Sequence, residues 1–75
     1  MGEVRIDMVK DLPGGSHNGV ALAWKLIHAG APMRVREHKG VVIEPEDFEM
    51  YGKIEWTDGD GGGRDIRTYR WEDRG

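Results

Sequence analysis

Asp58-Gly59-Asp60-Gly61-Gly62-Gly63 holds the chain's closest approach to a ligand-binding motif. Two carboxylates two residues apart open a calcium loop, because a hard cation takes oxygen ligands at alternate positions along a tight turn. The pattern then needs a third oxygen two residues on and a closing Glu. Gly62 and Tyr69 stand in those places, so the segment reads as a solvated hairpin loop. Gly14-Gly15-Ser16-His17-Asn18-Gly19 leads into a helix, whose free N–H groups can hold an anion. A phosphate loop adds a Lys there. This loop has none and reads as a connection with an N-cap. His17, His28 and His38 have no ligand-like spacing, and Ser16 beside His17 lacks an orienting acid. Glu44, Glu46, Asp47 and Glu49 could pair carboxylates for acid–base work, but nothing in the pattern buries them to raise a pKa. No catalytic, cofactor or metal residue is expected, and the chain reads as a non-enzyme.

The elements that would carry these groups are short. Seventy-five residues support one thin-cored domain, and the absence of cysteine rules out both disulfides and cysteine-bound zinc. No apolar run nears the ~20 residues of a membrane span and no signal-peptide core is visible, so a cytoplasmic protein is the expectation. Charge is uneven. Residues 1–40 carry six Lys/Arg and four Asp/Glu, whereas residues 41–75 carry five and ten. The acidic second half disfavours a general phosphate-binding surface and suits a basic protein partner.

Val4, Ile6 and Met8 alternate with Glu3, Arg5 and Asp7, which predicts a half-buried strand from Glu3 to Lys10. Ser16 or Asn18 can cap a helix over Gly19 to Ala29. Its core stripe is Val20, Ala23, Trp24 and Ile27, widened by Leu22 and Leu26. Ala21, Lys25 and His28 form its polar strip. Gly30 and Pro32 stop it. Met33–Arg36 and Val41–Ile43 read as two strands around a turn at Glu37-His38-Lys39-Gly40. Glu44-Pro45-Glu46-Asp47 starts a short helix carrying Phe48 and Tyr51. Residues 52–73 read as a hairpin: Ile54 and Trp56 share a face, as do Tyr69 and Trp71. Ile66 is out of phase, which suggests a bulge or a later strand start. The expected fold is α+β: a single domain over residues 1–75 in the order β-α-β-β-α-β-β, with one main helix on a twisted antiparallel sheet.

Two stretches resemble known families. Leu26-Ile27-His28-Ala29-Gly30-Ala31-Pro32, followed by Arg34-Val35-Arg36, Lys39-Gly40 and Ile43-Glu44-Pro45-Glu46-Asp47-Phe48, is similar to the second half of an excisionase or MerR-like winged helix. That resemblance implies a nucleic-acid accessory factor whose wing (within residues 26–48) contacts phosphates through Arg34, Arg36, His38 and Lys39. Ile54-Glu55-Trp56-Thr57-Asp58-Gly59 with Arg67-Thr68-Tyr69-Arg70 resembles strands of Tudor or Mib-Herc2 barrels, which bind peptides or modified side chains.

The leading expectation is a small protein-interaction module, of the regulator or inhibitor kind found in phage and mobile elements. It would dock another protein, or form a homodimer, through Glu46, Asp47, Glu49, Glu55, Trp56, Tyr69, Arg70 and Trp71. The nucleic-acid factor is the alternative. Within the hairpin, the charged face of Lys53, Glu55, Thr57, Thr68 and Arg70 lies opposite the aromatics.

Overall fold

A computed structural model of the chain describes residues 2–12, 19–36, 40, 42–59 and 62–72. Its order is β1 (Gly2–Asp7), α1 (Gly19–His28), β2 (Met33–Val35), a 3₁₀ turn (Pro45–Asp47), β3 (Phe48–Met50), β4 (Ile54–Asp58) and β5 (Ile66–Trp71). The class is α+β, as the sequence predicts. The strands form two antiparallel sheets: β1-β5-β4 and the ribbon β2-β3.

β5 is the centre of the larger sheet. It pairs with β1 from Gly2↔Trp71 to Asp7↔Ile66 and with β4 from Ile54↔Trp71 to Asp58↔Arg67. Alternation then puts Val4, Ile6, Arg67, Tyr69, Trp71, Ile54, Trp56 and Asp58 on one face, because successive strand side chains point to opposite sides. Ile6 (1% exposed), Met8, Leu12, Leu26, Ala31, Tyr69 (5%) and Trp71 (4%) form the core cluster. Val4, Ala21, Leu22, Met33 and Ile54 pack against it. No bulge is needed at Ile66. The register runs unbroken through it, and Ile66 lies buried on the other face, in a shallow concavity shared with Arg5, Asp7, Lys10, Asp11 and Arg64.

The helix is close to the expected span. The backbone N–H of Ala31 donates to Leu26 O (3.0 Å) and that of Gly30 to Ile27 O (3.0 Å), with Gly30 at φ +96°. That left-handed residue closes the last turn, which favours glycine. The expected single core stripe is corrected. Leu26 and Ala23 are buried, Ala21 leaves the polar strip to pack on the core, and Val20, Trp24 and Ile27 are half-buried. A helix apolar on most of its circumference packs on two sides. Leu22 and Leu26 meet the larger sheet, while Trp24 meets Phe48 of the ribbon edge-on at 5.5 Å.

The middle of the chain departs most from expectation. β2 pairs with β3 through Met33↔Met50, Arg34↔Glu49 and Val35↔Phe48, not with residues 41–43. Val42 is exposed and Ile43 stands outside any strand. The expected short helix is one 3₁₀ turn, and Phe48 begins a strand. Pro45 supports that turn, and Asp47 Oδ2 accepts the Glu44 N–H at 2.7 Å. The ladder extends beyond the strands, with Tyr51 N–H donating to Pro32 O (2.9 Å) and Arg36 N–H to Asp47 O (2.6 Å). These bonds take the backbone of residues 47–51 into the ribbon and away from a helix.

With so thin a core, one large truncation removes a large share of the ~4–11 kcal/mol expected for this length. Ile6→Ala should cost about 2–4 kcal/mol. The urea midpoint should fall accordingly, with the slope of the transition unchanged.

Candidate functional site

The hairpin β4–β5 carries the most distinctive group of side chains. The Arg67 guanidinium lies over the Trp56 ring at 4.4 Å, and Trp56 lies 6.2 Å from the Tyr69 ring at a tilt of 35°. All three share the core face by register. Arg67 Nη1 approaches the Tyr69 hydroxyl at a long 3.5 Å. Its Nε is buried without a hydrogen-bond partner, since the Asp65 carboxylate lies 3.7 Å away, within ion-pair but beyond hydrogen-bond range. The Tyr69 hydroxyl, with Asp65 and Asp58 nearby, raises the pKa of Arg67 above its ordinary value. An arginine fixed in this way spreads its charge over an aromatic ring, an interaction worth about 0.5–2 kcal/mol depending on desolvation.

Trp56 is 48% exposed although Tyr69, its cross-strand partner, is buried. The reason is its strand. β4 lies at the margin of the sheet, and Glu55, Trp56, Thr57 and Asp58 are all exposed. The Gly59 N–H donates to Ile66 O at 2.5 Å, so Gly59, Thr57 and Glu55 turn their backbone groups toward β5. Ile54, Trp56 and Asp58 turn theirs outward, because antiparallel pairs alternate between bonded and non-bonded. Among the described residues no other backbone group bonds to these three.

The opposite margin differs. β1 runs into a turn whose backbone is capped by side chains. Asp11 Oδ2 accepts the Asp7 N–H (2.9 Å), and Asp7 Oδ1 accepts those of Val9 (3.1 Å) and Lys10 (2.9 Å). Arg64 reaches Asp7 at 4.0 Å. Those backbone donors, with Arg64, hold the Asp7 pKa below its ordinary value.

The residues expected to meet a partner do not form one surface. Trp56, Tyr69 and Trp71 share one face, but Tyr69 and Trp71 are core and support Trp56 from within the sheet. Glu55 and Arg70 lie opposite each other on the other face. Glu55 pairs with Lys53 (3.0 Å) and raises the lysine pKa, while Arg70 pairs with Glu3 (2.5 Å). Glu46, Asp47 and Glu49 sit on the 3₁₀ turn and the ribbon, where Asp47 caps the turn and Glu49 is bonded to Arg34 at 2.7 Å. Arg34 also lies 5.8 Å from the Tyr51 ring, and Arg36 donates to the Glu46 carbonyl. Both arginines of the expected wing are thus held against its own acids and carbonyls. His38, Lys39, Asp60 and the loop at residues 13–18 lie outside the described residues. Among the described residues no cluster of three His, Asp or Glu could hold a metal ion, and no helix is long and apolar enough to cross a membrane.

Arg67 is not among the residues that the sequence offers as a docking surface. Its place two residues before Tyr69, hence on the aromatic face, was the signal that sets it apart. Comparisons with models of known protein families, with curated proteins and with solved structures find no match to this chain.

Asp7 makes a pH prediction. Its native pKa lies below the ordinary aspartate value of 3.8, so its contribution to stability is complete above that value and is lost as pH falls through the native pKa. Asp7→Asn should therefore flatten the decline of the urea midpoint below about pH 4. A decline as steep as in the unaltered protein would place the acid sensitivity elsewhere.

Proposed function

We propose that this chain is a non-enzymatic protein-interaction module that docks another polypeptide by strand addition along β4, with Trp56 as the side-chain anchor. A row of unpaired backbone groups is a template for a further strand, and the hydrogen bonds it makes supply affinity without demanding sequence. Trp56 supplies the second element. An aromatic side chain ordered before contact loses little rotamer entropy on binding, and tryptophan and arginine are enriched among residues that carry binding energy. The single observation that supports the reading is the half-exposed Trp56, stacked on Arg67 at 4.4 Å, on a strand whose outer backbone groups have no described partner.

The acidic residues take a lesser part in this reading. Glu49, Asp47 and Glu55 are engaged with neighbours, which leaves less charge to recognise a basic partner than the composition suggests. The strand edge and its tryptophan therefore take precedence over the acidic surface.

Amide exchange tests the reading directly. In dilute protein the N–H groups of Ile54, Trp56 and Asp58 should exchange at least about tenfold faster than those of Glu55 and Thr57, which bond to β5. Equal protection of all five would mean that the edge is already covered within the chain and would remove this function. Trp56→Ala should leave thermal unfolding nearly in place, at a cost of about 1 kcal/mol for the lost cation–π and partial burial. A cost of about 3 kcal/mol or more would make Trp56 a core residue, not an anchor.

A further inference from the structure

We infer that the strand added to β4 is β4 of a second copy, so that two chains form a continuous six-stranded antiparallel sheet, β1-β5-β4-β4-β5-β1, about a two-fold axis at Trp56. The inference rests on the docking reading above and specifies its partner. Two identical edges meet antiparallel only about an axis perpendicular to the sheet, which keeps equivalent faces on the same side. Residues directly opposite must therefore share a face, and few registers satisfy that condition.

The residues of β4 choose among those registers. An axis at Glu55 sets the two Glu55 carboxylates directly opposite each other, as a closely spaced non-bonded pair, which is destabilising. An axis at Thr57 faces Trp56 with the Asp58 carboxylate and carries Ile54 past the end of the partner strand. An axis at Trp56 sets no like charges directly opposite each other and leaves no residue of β4 unpaired, although it too places an apolar residue, Ile54, opposite Asp58. It pairs Trp56 with Trp56, Ile54 with Asp58 and Glu55 with Thr57 along the whole of β4. The backbone agrees, because Ile54, Trp56 and Asp58 are the residues whose N–H and C=O point outward. All three become bonded pairs in this register, and Trp56 exchanges both of its bonds with its own copy.

Charge and shape complete the fit. Glu55 faces a threonine hydroxyl and remains paired with Lys53. The two Trp56 rings come side by side on the face where each is already stacked on Arg67. At the β1 margin, by contrast, the outward N–H of Asp7 is already taken by Asp11, which shortens the edge open to a further strand. A five-residue edge buries less than the ~1,200 Å² of a standard stable interface, so the dimer is a weak one, micromolar or looser.

Sedimentation and cross-linking test the proposal together. Over a range from about 10 µM to about 1 mM the 8.5 kDa chain should pass from monomer to dimer. Asp58→Pro, which deletes an outward N–H and leaves the bonds to β5 intact, should remain monomeric at concentrations where the unaltered chain is dimeric. The chain has no cysteine, so the register can be trapped without background. A mixture of Glu55→Cys and Thr57→Cys should form the mixed disulfide, since those residues face each other at about 4.5 Å between Cα atoms, within disulfide reach. Thr57→Cys alone should not self-link, because its copy lies diagonally at about 7–8 Å. Both cysteine variants are at exposed positions and keep Trp56 and the β4–β5 ladder. A monomer at every concentration, or a dimer that Asp58→Pro leaves unchanged and that yields no mixed disulfide, would overturn the proposal. Fast exchange at Ile54, Trp56 and Asp58 in such a monomer would leave the docking reading standing, with a different partner.

Discussion

β5 is hydrogen-bonded on both sides, and the position of each other element follows from that. Its odd-numbered residues bond to β1 and its even-numbered residues to β4, so the strand has no backbone group to spare. Pairing Gly2–Asp7 with Ile66–Trp71 closes a loop of nearly the whole chain. The entropy cost of such a loop grows only slowly with its length, but it must be met before the contacts form. Tyr69 and Trp71 meet that cost. They bring large apolar area from the central strand against Ile6, Val4 and Leu26, and the helix covers them. Trp71 also fits closely over Gly2, where any side-chain carbon would lie 2.1 Å from the indole nitrogen. The same central strand leaves β4 outermost, which is why an otherwise ordinary tryptophan becomes half-exposed.

Charge in this molecule mostly stabilises turns and margins. Asp7 and Asp11 occupy the donors of one turn, Asp47 caps another, and Arg34–Glu49 and Arg70–Glu3 lie across ladders. Exposed pairs of this kind contribute about 0–1 kcal/mol each, so they choose register more than they add stability. Arg67 is the exception. Its side chain stands on the aromatic face with only a quarter of its surface exposed. Its Nε lacks a hydrogen bond, a cost that the Trp56 ring and the nearby Asp65 carboxylate only partly offset. Such a position holds an arginine in one orientation and, through it, holds the Trp56 ring.

What the sequence made legible follows the strength of its periodicity. β1 and most of the hairpin alternate, and α1 has both a helical apolar pattern and a glycine stop, so each of these stands close to where the sequence placed it, although β1 ends at Asp7 and not at Lys10. The ribbon is not legible in the sequence because a three-residue strand has almost no period. Val41-Val42-Ile43 is more apolar and more β-branched than Phe48-Glu49-Met50, so composition favours the wrong segment, and Pro45 with its flanking acids is as good a helix start as a 3₁₀ turn. What decides between them is tertiary: Phe48 has the Trp24 ring to pack against, and Val42 has solvent. Burial within the hairpin was hidden for a related reason. Alternation put Trp56 and Tyr69 on one face, but strand order, which only the β1–β5 pairing reveals, made one central and the other marginal.

The two margins of the larger sheet therefore bear on function more than any single motif does. Sheet proteins blunt an exposed edge with proline, bulges, inward charges or a covering segment, because an open edge recruits strands indiscriminately. β1 follows that rule at its end, where Asp11 takes the outward N–H of Asp7. β4 has neither proline nor bulge, and its two charged residues have opposite charges beside them: Glu55 pairs with Lys53, and Asp58 lies beside Arg67 on the core face. A chain with only a handful of fully buried side chains among its described residues gains from covering more surface. In the proposed docking, the edge beside the pre-ordered Trp56 is the feature through which it would do so, and the charges of β4 would restrict which register a partner strand takes.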